Sequence, residues 1–151
     1  MKIKDGRITI TSKIAYIAGF FDGEGCIRIK QNSQRGNSFS VIAHITNTNL
    51  EILQQVQDLF GGQVRKQERG VNKTIFNWYI TSAEAIDFLR TLSPFLQEKL
   101  AQANLAFDFD KRKHESTLKE KQNYAKTMSA LKKEVIGNIW ENPELLKGEK
   151  E

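Results

Sequence analysis

The feature that most constrains this chain is a spacing. Ala15, Gly19 and Gly23 recur every four residues within a stretch whose apolar residues Ile14, Ile17, Ala18 and Phe21 follow helical period. One side of such a helix carries almost no side chain, so a second helix backbone can approach it closely. Ser12 is the expected N-cap, Gly23 and Gly25 are the stop signals, and two carboxylates, Asp22 and Glu24, stand at the end. The expected outcome is a pair of acidic groups at a seam between two helices.

The period then changes from helix to strand. Ile27-Arg28-Ile29-Lys30 alternates apolar and cationic residues, and Val41, Ala43 and Ile45 alternate with Ser40, Ile42, His44 and Thr46 across a polar turn containing Gly36. Thr48-Asn49-Leu50-Glu51 has capping-box spacing ahead of a helix carrying Leu53, Val56, Leu59 and Phe60, which should stop at Gly61-Gly62. Gln63–Glu68 and Lys73–Thr81 read as a second hairpin around Gly70, with Phe76 and Trp78 on its core side. A helix near Ala83–Leu92 follows. Ser93-Pro94 then reads as cap and first-turn proline of a helix carrying Phe95, Leu96, Leu100, Ala103 and Phe107. Thr117-x-x-Glu120 caps a last helix reaching about Ile136. The order is α-β-β-α-β-β-α with C-terminal helices, an α+β arrangement in which helices back one antiparallel sheet.

Charge adds a side to that sheet. The net +5 is unevenly spread: segments 28–50 and 63–81 each carry +3, whereas 51–62 carries −2 and 82–110 carries −3. The two basic segments are the two hairpins, so one sheet face should pack on helices and the other should be free and cationic. Arg28, Lys30, Asn32, Ser40, His44, Gln63, Arg65, Gln67, Asn77 and Tyr79 alternate with the core set and suit major-groove reading of DNA. Arg and Lys favour guanine edges there, and Asn and Gln favour adenine. Lys111, Arg112, Lys113, Lys132 and Lys133 are candidate phosphate contacts, although seven acidic residues between Glu115 and Glu151 make a solvated helix face the simpler reading.

Several classes are excluded. Cys26 is the single cysteine, so no intramolecular disulfide forms, and with two histidines there is no zinc-spaced cluster; Cys26 is expected to pack behind its strand. The longest apolar run, Ile14–Phe21, falls short of the roughly 20 residues of a membrane span, and the N-terminus lacks a signal-peptide apolar region. No membrane partner is expected, and the expected location is intracellular, in the cytoplasm, nucleoid or an organelle matrix. The 151 residues read as one domain with a core over about 12–110 and a C-terminal helical region over about 111–151.

The stretch Ile17-Ala18-Gly19-Phe20-Phe21-Asp22-Gly23-Glu24-Gly25 resembles the signature of the LAGLIDADG homing endonucleases, with aromatic for aliphatic residues and glutamate for the second aspartate. The resemblance covers roughly Lys13 to Phe107. It includes the element order and the run Leu92-Ser93-Pro94-Phe95-Leu96 through Lys99 to Gln102-Ala103-Asn104-Leu105, which is similar to the segment that supplies an active-site lysine in single-motif members.

The resemblance implies a set of roles. By it, Glu24 is the acidic metal ligand, Gly23 offers a backbone carbonyl to the metal, Asn47 orients water, and Lys99 stabilises the reacting phosphate. The implied metal is Mg²⁺, for which Mn²⁺ can substitute. Ala15, Ala18, Gly19 and Phe20 form the implied dimer interface, because a chain with one motif must pair to bring two acidic helix ends together. The implied assembly is a homodimer making a staggered double-strand cut in a pseudo-palindromic double-stranded DNA target during intron homing. Glu51 departs from the pattern where some relatives carry a basic pocket residue, and its capping-box place gives it a structural role instead. Alternative functions on the same fold are an intron RNA maturase and a cleavage-inactive DNA-binding regulator; Glu24 together with Lys99 argues against the regulator.

Overall fold

The computed structural model describes residues 3–4, 7–71 and 73–141, with side chains for 9–71 and 73–132. A two-residue antiparallel pair not expected from the sequence, β1 (Ile3–Lys4) and β2 (Arg7–Ile8), precedes α1 (Ile10–Glu24). The N-cap of α1 is Thr9 rather than Ser12. Thr9 Oγ1 accepts the Ser12 backbone N–H at 3.1 Å, which makes Ser12 the third residue of the helix. The helix runs through Gly23, one of the expected stop signals, and ends at Gly25, where an added Cβ would run into the Phe21 ring.

β3 (Gly25–Gln31) and β4 (Phe39–Asn47) form the first hairpin, and β5 (Gln63–Glu68) and β6 (Thr74–Thr81) form the second. They join through β4 and β6 into an antiparallel sheet of order β3-β4-β6-β5. Between the hairpins runs α2 (Leu50–Phe60), and α3 (Ser82–Leu92) follows β6. The element order is the one the sequence predicts. The cap of α2 is Asn49, however, whose Oδ1 accepts the N–H groups of Glu51 and Ile52 at 3.0 and 3.4 Å. Three residues beyond Asn49 stands Ile52, so no reciprocal capping box forms and the Glu51 side chain is left exposed.

The helices lie on the sheet face formed by Ile27, Ile29, Val41, Ala43, Ile45, Trp78 and Ile80. Phe88 of α3 is the hub of this layer: its ring centroid lies 5.1 Å from that of Phe21 and 4.9 Å from those of Phe60 and Trp78, which joins α1, the end of α2 and β6. Trp78 Nε1 donates to the Gly61 carbonyl at 2.9 Å. That contact draws Gly61-Gly62 onto the indole, with Gly62 at φ +85°.

The helix expected to begin at Ser93-Pro94 is instead a 3₁₀ turn, Ser93–Phe95, an extended Leu96, and then α4 (Leu100–Arg112). α5 (Leu118–Glu141) opens with the expected box, in which Thr117 Oγ1 accepts the Glu120 N–H at 3.2 Å and Glu120 Oε1 accepts the Thr117 hydroxyl at 3.0 Å. α5 packs on α4 through Phe109 and Tyr124 and lies alongside β3, where Met128 is buried. Tyr124 donates to Asp108 Oδ2 at 2.6 Å, and that bond holds the phenol above its usual pKa. Among the described residues no helix is long and apolar enough to cross a membrane.

A methyl group at Gly62 would meet the Tyr79 carbonyl oxygen at 2.6 Å, whereas one at Gly70, also left-handed at φ +63°, meets nothing within 4 Å. Gly62→Ala is expected to destabilise the chain by about 3 kcal/mol or more and Gly70→Ala by about 1 kcal/mol. Urea unfolding of the two variants measures the difference.

Candidate active site and nucleic-acid interface

The end of α1 is built around Asp22. Its carboxylate does not stand at a helix seam; it accepts the backbone N–H groups of Gln97, Glu98 and Lys99 at 2.8, 3.0 and 2.8 Å. This is why the expected helix breaks: those amides bond to a carboxylate on another element instead of to carbonyls one turn back. The same contact holds the turn over residues 97–99 that leads into α4, whose N-cap is Lys99. Lys99 in turn donates from Nζ to the Asp22 backbone oxygen at 2.5 Å and is only 8% exposed. Asp22 thereby clamps Lys99 beside the last turn of α1.

Two residues on, Glu24 is exposed and makes no ion pair or hydrogen bond among the described residues. The residue four beyond Gly23 is Ile27, inside β3, so the Gly23 carbonyl has no intrahelical donor. The β3–β4 register pairs Gly25 with Ile45. Asn47, two residues further along β4, is therefore level with the end of α1. Asn47 Oδ1 accepts the Asn49 N–H at 2.8 Å, and its –NH₂ has no partner among the described residues. The fold thus brings Gly23, Glu24, Asn47 and Lys99 to one end of one helix from separate stretches of the chain.

The four α1 residues expected at a dimer interface divide. Gly19 is exposed, Ala15 and Phe20 are half-buried, and a Cβ added at Gly19 or Gly23 would meet nothing within 4 Å. Ala18 is a correction: at 0% exposure it packs in the chain's own core beside Ile17 and Phe21 and offers no surface to a partner. A groove of about 570 Å³ lies between the first half of α1 and α2, with Lys13, Tyr16, Glu51, Asp58 and Leu59 among its lining residues. It contains none of the Gly23, Glu24, Asn47 and Lys99 cluster.

On the sheet, the register sets the polar residues in rows across the face away from the helices. Cys26, His44, Tyr79 and Gln63 form one row, Thr46, Asn77 and Arg65 a second, Arg28, Ile42 and Thr81 a third, and Lys30 with Ser40 a fourth. Gln67 extends the face along β5. Arg28, Lys30 and Arg65 supply three cations to these rows, and the rows themselves contain no carboxylate. Asn32 lies past the end of β3, where Nδ2 donates to Ser38 Oγ at 2.7 Å and Oδ1 accepts from Ser40 at 3.0 Å, so Asn32 and Ser40 brace the hairpin.

Cys26 is a second correction. It shares parity with Arg28 and Lys30, so it belongs to the cationic face and does not pack behind the strand. Period-two counting back from Arg28 is the sequence signal that locates it. Burial alone would raise the Cys26 thiol, but hydrogen bonds from His44 and from Lys132, whose Nζ lies 2.8 Å from Sγ, bring it down to about 7. Of the C-terminal cations, Arg112 and Lys113 pair with Asp108 and Asp110 on their own helix, at 3.3 and 3.1 Å. The Lys133 side chain lies outside the described residues.

The sequence profile of the LAGLIDADG-like domain matches residues 11–136. The chain belongs to that family. The homing endonuclease I-CvuI in complex with its target is 26% identical, aligns over 80% of this chain and 82% of its own, and superposes with a TM-score of 0.70. I-CvuI with the I-CreI target in magnesium, where the DNA is not cleaved, gives 28% identity over 79% and 81%, with a TM-score of 0.67. The archaeal intron-encoded homing endonuclease I-Vdi141I complexed with DNA, at 19% identity over 83% and 82% and a TM-score of 0.59, shares the fold. No curated protein sequence matches the chain. The LAGLIDADG chain therefore has the homing endonuclease fold that its signature helix predicts.

Two measurements check the site. Asp22→Ala removes a charged acceptor shared by three backbone amides, and is expected to lower stability by about 2 kcal/mol or more in urea unfolding. Iodoacetamide labelling of Cys26 is expected to rise with a midpoint near pH 7, and in Lys132→Met the midpoint should move up toward that of an ordinary thiol.

Proposed function

We propose that this chain is a site-specific homing endonuclease. Two copies, joined through α1, hold a long pseudo-palindromic DNA duplex on their cationic sheet faces and make a staggered double-strand cut by divalent-metal-dependent phosphodiester hydrolysis. The observation that carries this reading is the Asp22 clamp, which fixes a buried ammonium beside the helix end that bears an exposed, unpaired carboxylate. A DNA-binding surface alone has no use for a carboxylate next to phosphate. The likeness to I-CvuI, crystallised with DNA in calcium and in magnesium, supports the same reading.

The donor set suits a hard cation. Among the described residues no three His, Cys, Asp or Glu side chains gather to hold a metal. One chain therefore offers Glu24 and the Gly23 carbonyl, a sparse oxygen set that Mg²⁺ accepts because it keeps several waters and takes phosphate oxygens; Mn²⁺ suits the same oxygens. When bound, the cation supplies charge neutralisation at the scissile phosphate and makes attacking water more acidic.

The chain's own residues do the rest. Glu24 would hold the cation, and a cation there would offset the repulsion between two Glu24 carboxylates brought close across a two-fold axis. Lys99 gives one of its three N–H donors to Asp22 and keeps two for phosphate oxygens. Asn47 turns its unpartnered –NH₂ toward water at the level of the helix end. The open strip at Gly19 and Gly23 receives the partner helix, and a symmetric pair of chains asks for a target whose halves mirror each other.

Glu24→Gln is expected to reduce cleavage of a plasmid bearing the target locus in Mg²⁺ by more than the roughly 10–100-fold that loss of an outer-sphere metal partner costs; undiminished cleavage would overturn the assignment. Gly19→Leu separates assembly from folding. An added Cβ at this position meets nothing within 4 Å in one chain, so the variant should still fold and unfold cooperatively in urea, with a midpoint independent of protein concentration, while light scattering shows monomer and cleavage is lost.

A further inference from the structure

Resting on that DNA-reading function, we propose that β5 reads bases with hydrogen-bond donors only, and so selects the keto bases guanine and thymine and rejects cytosine. Three side chains of β5 point from the cationic face: Gln63, Arg65 and Gln67. Both glutamines turn their oxygens back onto β6. Gln63 Oε1 accepts the Tyr79 hydroxyl at 2.6 Å, and Gln67 Oε1 accepts Asn77 Nδ2 at 3.0 Å. Their –NH₂ groups have no partner among the described residues. Arg65 stands between them with its guanidinium carbon 5.2 Å from the Tyr79 ring centroid, and guanidinium has donors and no acceptor.

The polarity is set by a relay across three strands. Thr46 donates its hydroxyl hydrogen to Asn77 Oδ1. With its oxygen engaged, Asn77 presents Nδ2 to Gln67, and Gln67 is left with donors facing outward. Asn77 has both heads engaged within the sheet, so its place is that of a positioning residue and not a base reader. The result changes the adenine preference that Asn and Gln types suggest, because adenine recognition needs a donor and an acceptor together at N7 and N6. Donor-only heads are matched by guanine, with acceptors at N7 and O6, and by thymine, with O4; cytosine offers only its N4 donor. Successive heads on one strand face lie about 6.8 Å apart, roughly two base steps of 3.4 Å, so the three heads address alternate positions.

The test is selection of bound duplexes from a randomised library by the full-length chain, with calcium replacing magnesium to suppress cleavage. Wild type should enrich a motif with three positions two bases apart that favour guanine or thymine, with cytosine depleted about fivefold or more. Gln67→Glu keeps an acceptor for Asn77 and turns an acceptor outward, and should switch one of the three positions to cytosine. Thr46→Val should relax the preference at that same position alone, and Thr46→Ser, which restores the donor, should bring it back. A motif with cytosine or adenine at the β5 positions, or one unmoved by Gln67→Glu, overturns the donor-only assignment while leaving DNA reading intact. Failure to enrich any motif overturns DNA reading itself, and this assignment with it.

Discussion

The molecule is organised by one carboxylate. Asp22 leaves α1 toward residues 97–99, gathers three of their backbone N–H groups, and offers its own carbonyl to Lys99. Through these bonds α1 and α4 fix each other's ends. The carbonyl of Asp22 lies in the last turn of α1, where backbone oxygens lack helical donors and carry partial negative charge, which suits an ammonium partner. Three of the roughly four acceptor sites of the Asp22 carboxylate are thereby taken by backbone amides. Asp22 and Glu24 differ in direction: one side chain turns into the fold, and its neighbour two positions on is exposed.

Much of the architecture is legible from local pattern. Alternation at Ile27–Lys30 and Ser40–Thr46 gives strands whose core residues are the buried ones, and Gly25 and Gly61 end the helices they follow, while Gly23 stays within α1. The boundaries shift where two polar residues compete for one role. Thr9 and Ser12 both suit an N-cap, and the first wins by accepting from the second. Asn49 displaces Thr48 because an Asx side chain reaches the N–H groups two and three residues on. The broken helix at 96–99 is not legible, because its cause lies more than seventy residues away in Asp22 and leaves no trace in the local spacing.

The site divides in the same way. The signature helix points to Glu24 and Gly23 as candidates and the lysine-bearing run points to Lys99, but that Lys99 is buried and clamped to the end of α1 emerges only in three dimensions. Ala18 is misread from sequence because a repeat of small residues is ambiguous between a surface strip and a packed contact, and its neighbours Ile17 and Phe21 carry it inward. On the sheet, side-chain type suggests one set of base preferences, while the relay from Thr46 through Asn77 to Gln67 determines which end of an amide faces out. Direction of hydrogen bonding is a property of a network and cannot be read from any single residue in it.

The two borders of the sheet are unlike. Along β3, α5 is strapped down by Lys121 on the Asn37 carbonyl at 2.6 Å and by Lys132 on Cys26. Along β5 the border is lined by the exposed charges of Lys66, Glu68 and Arg69. Neither border invites a second sheet to continue the ladder, since one is occupied and the other is charged. A second copy of this chain therefore finds no free, uncharged strand edge at either border to extend.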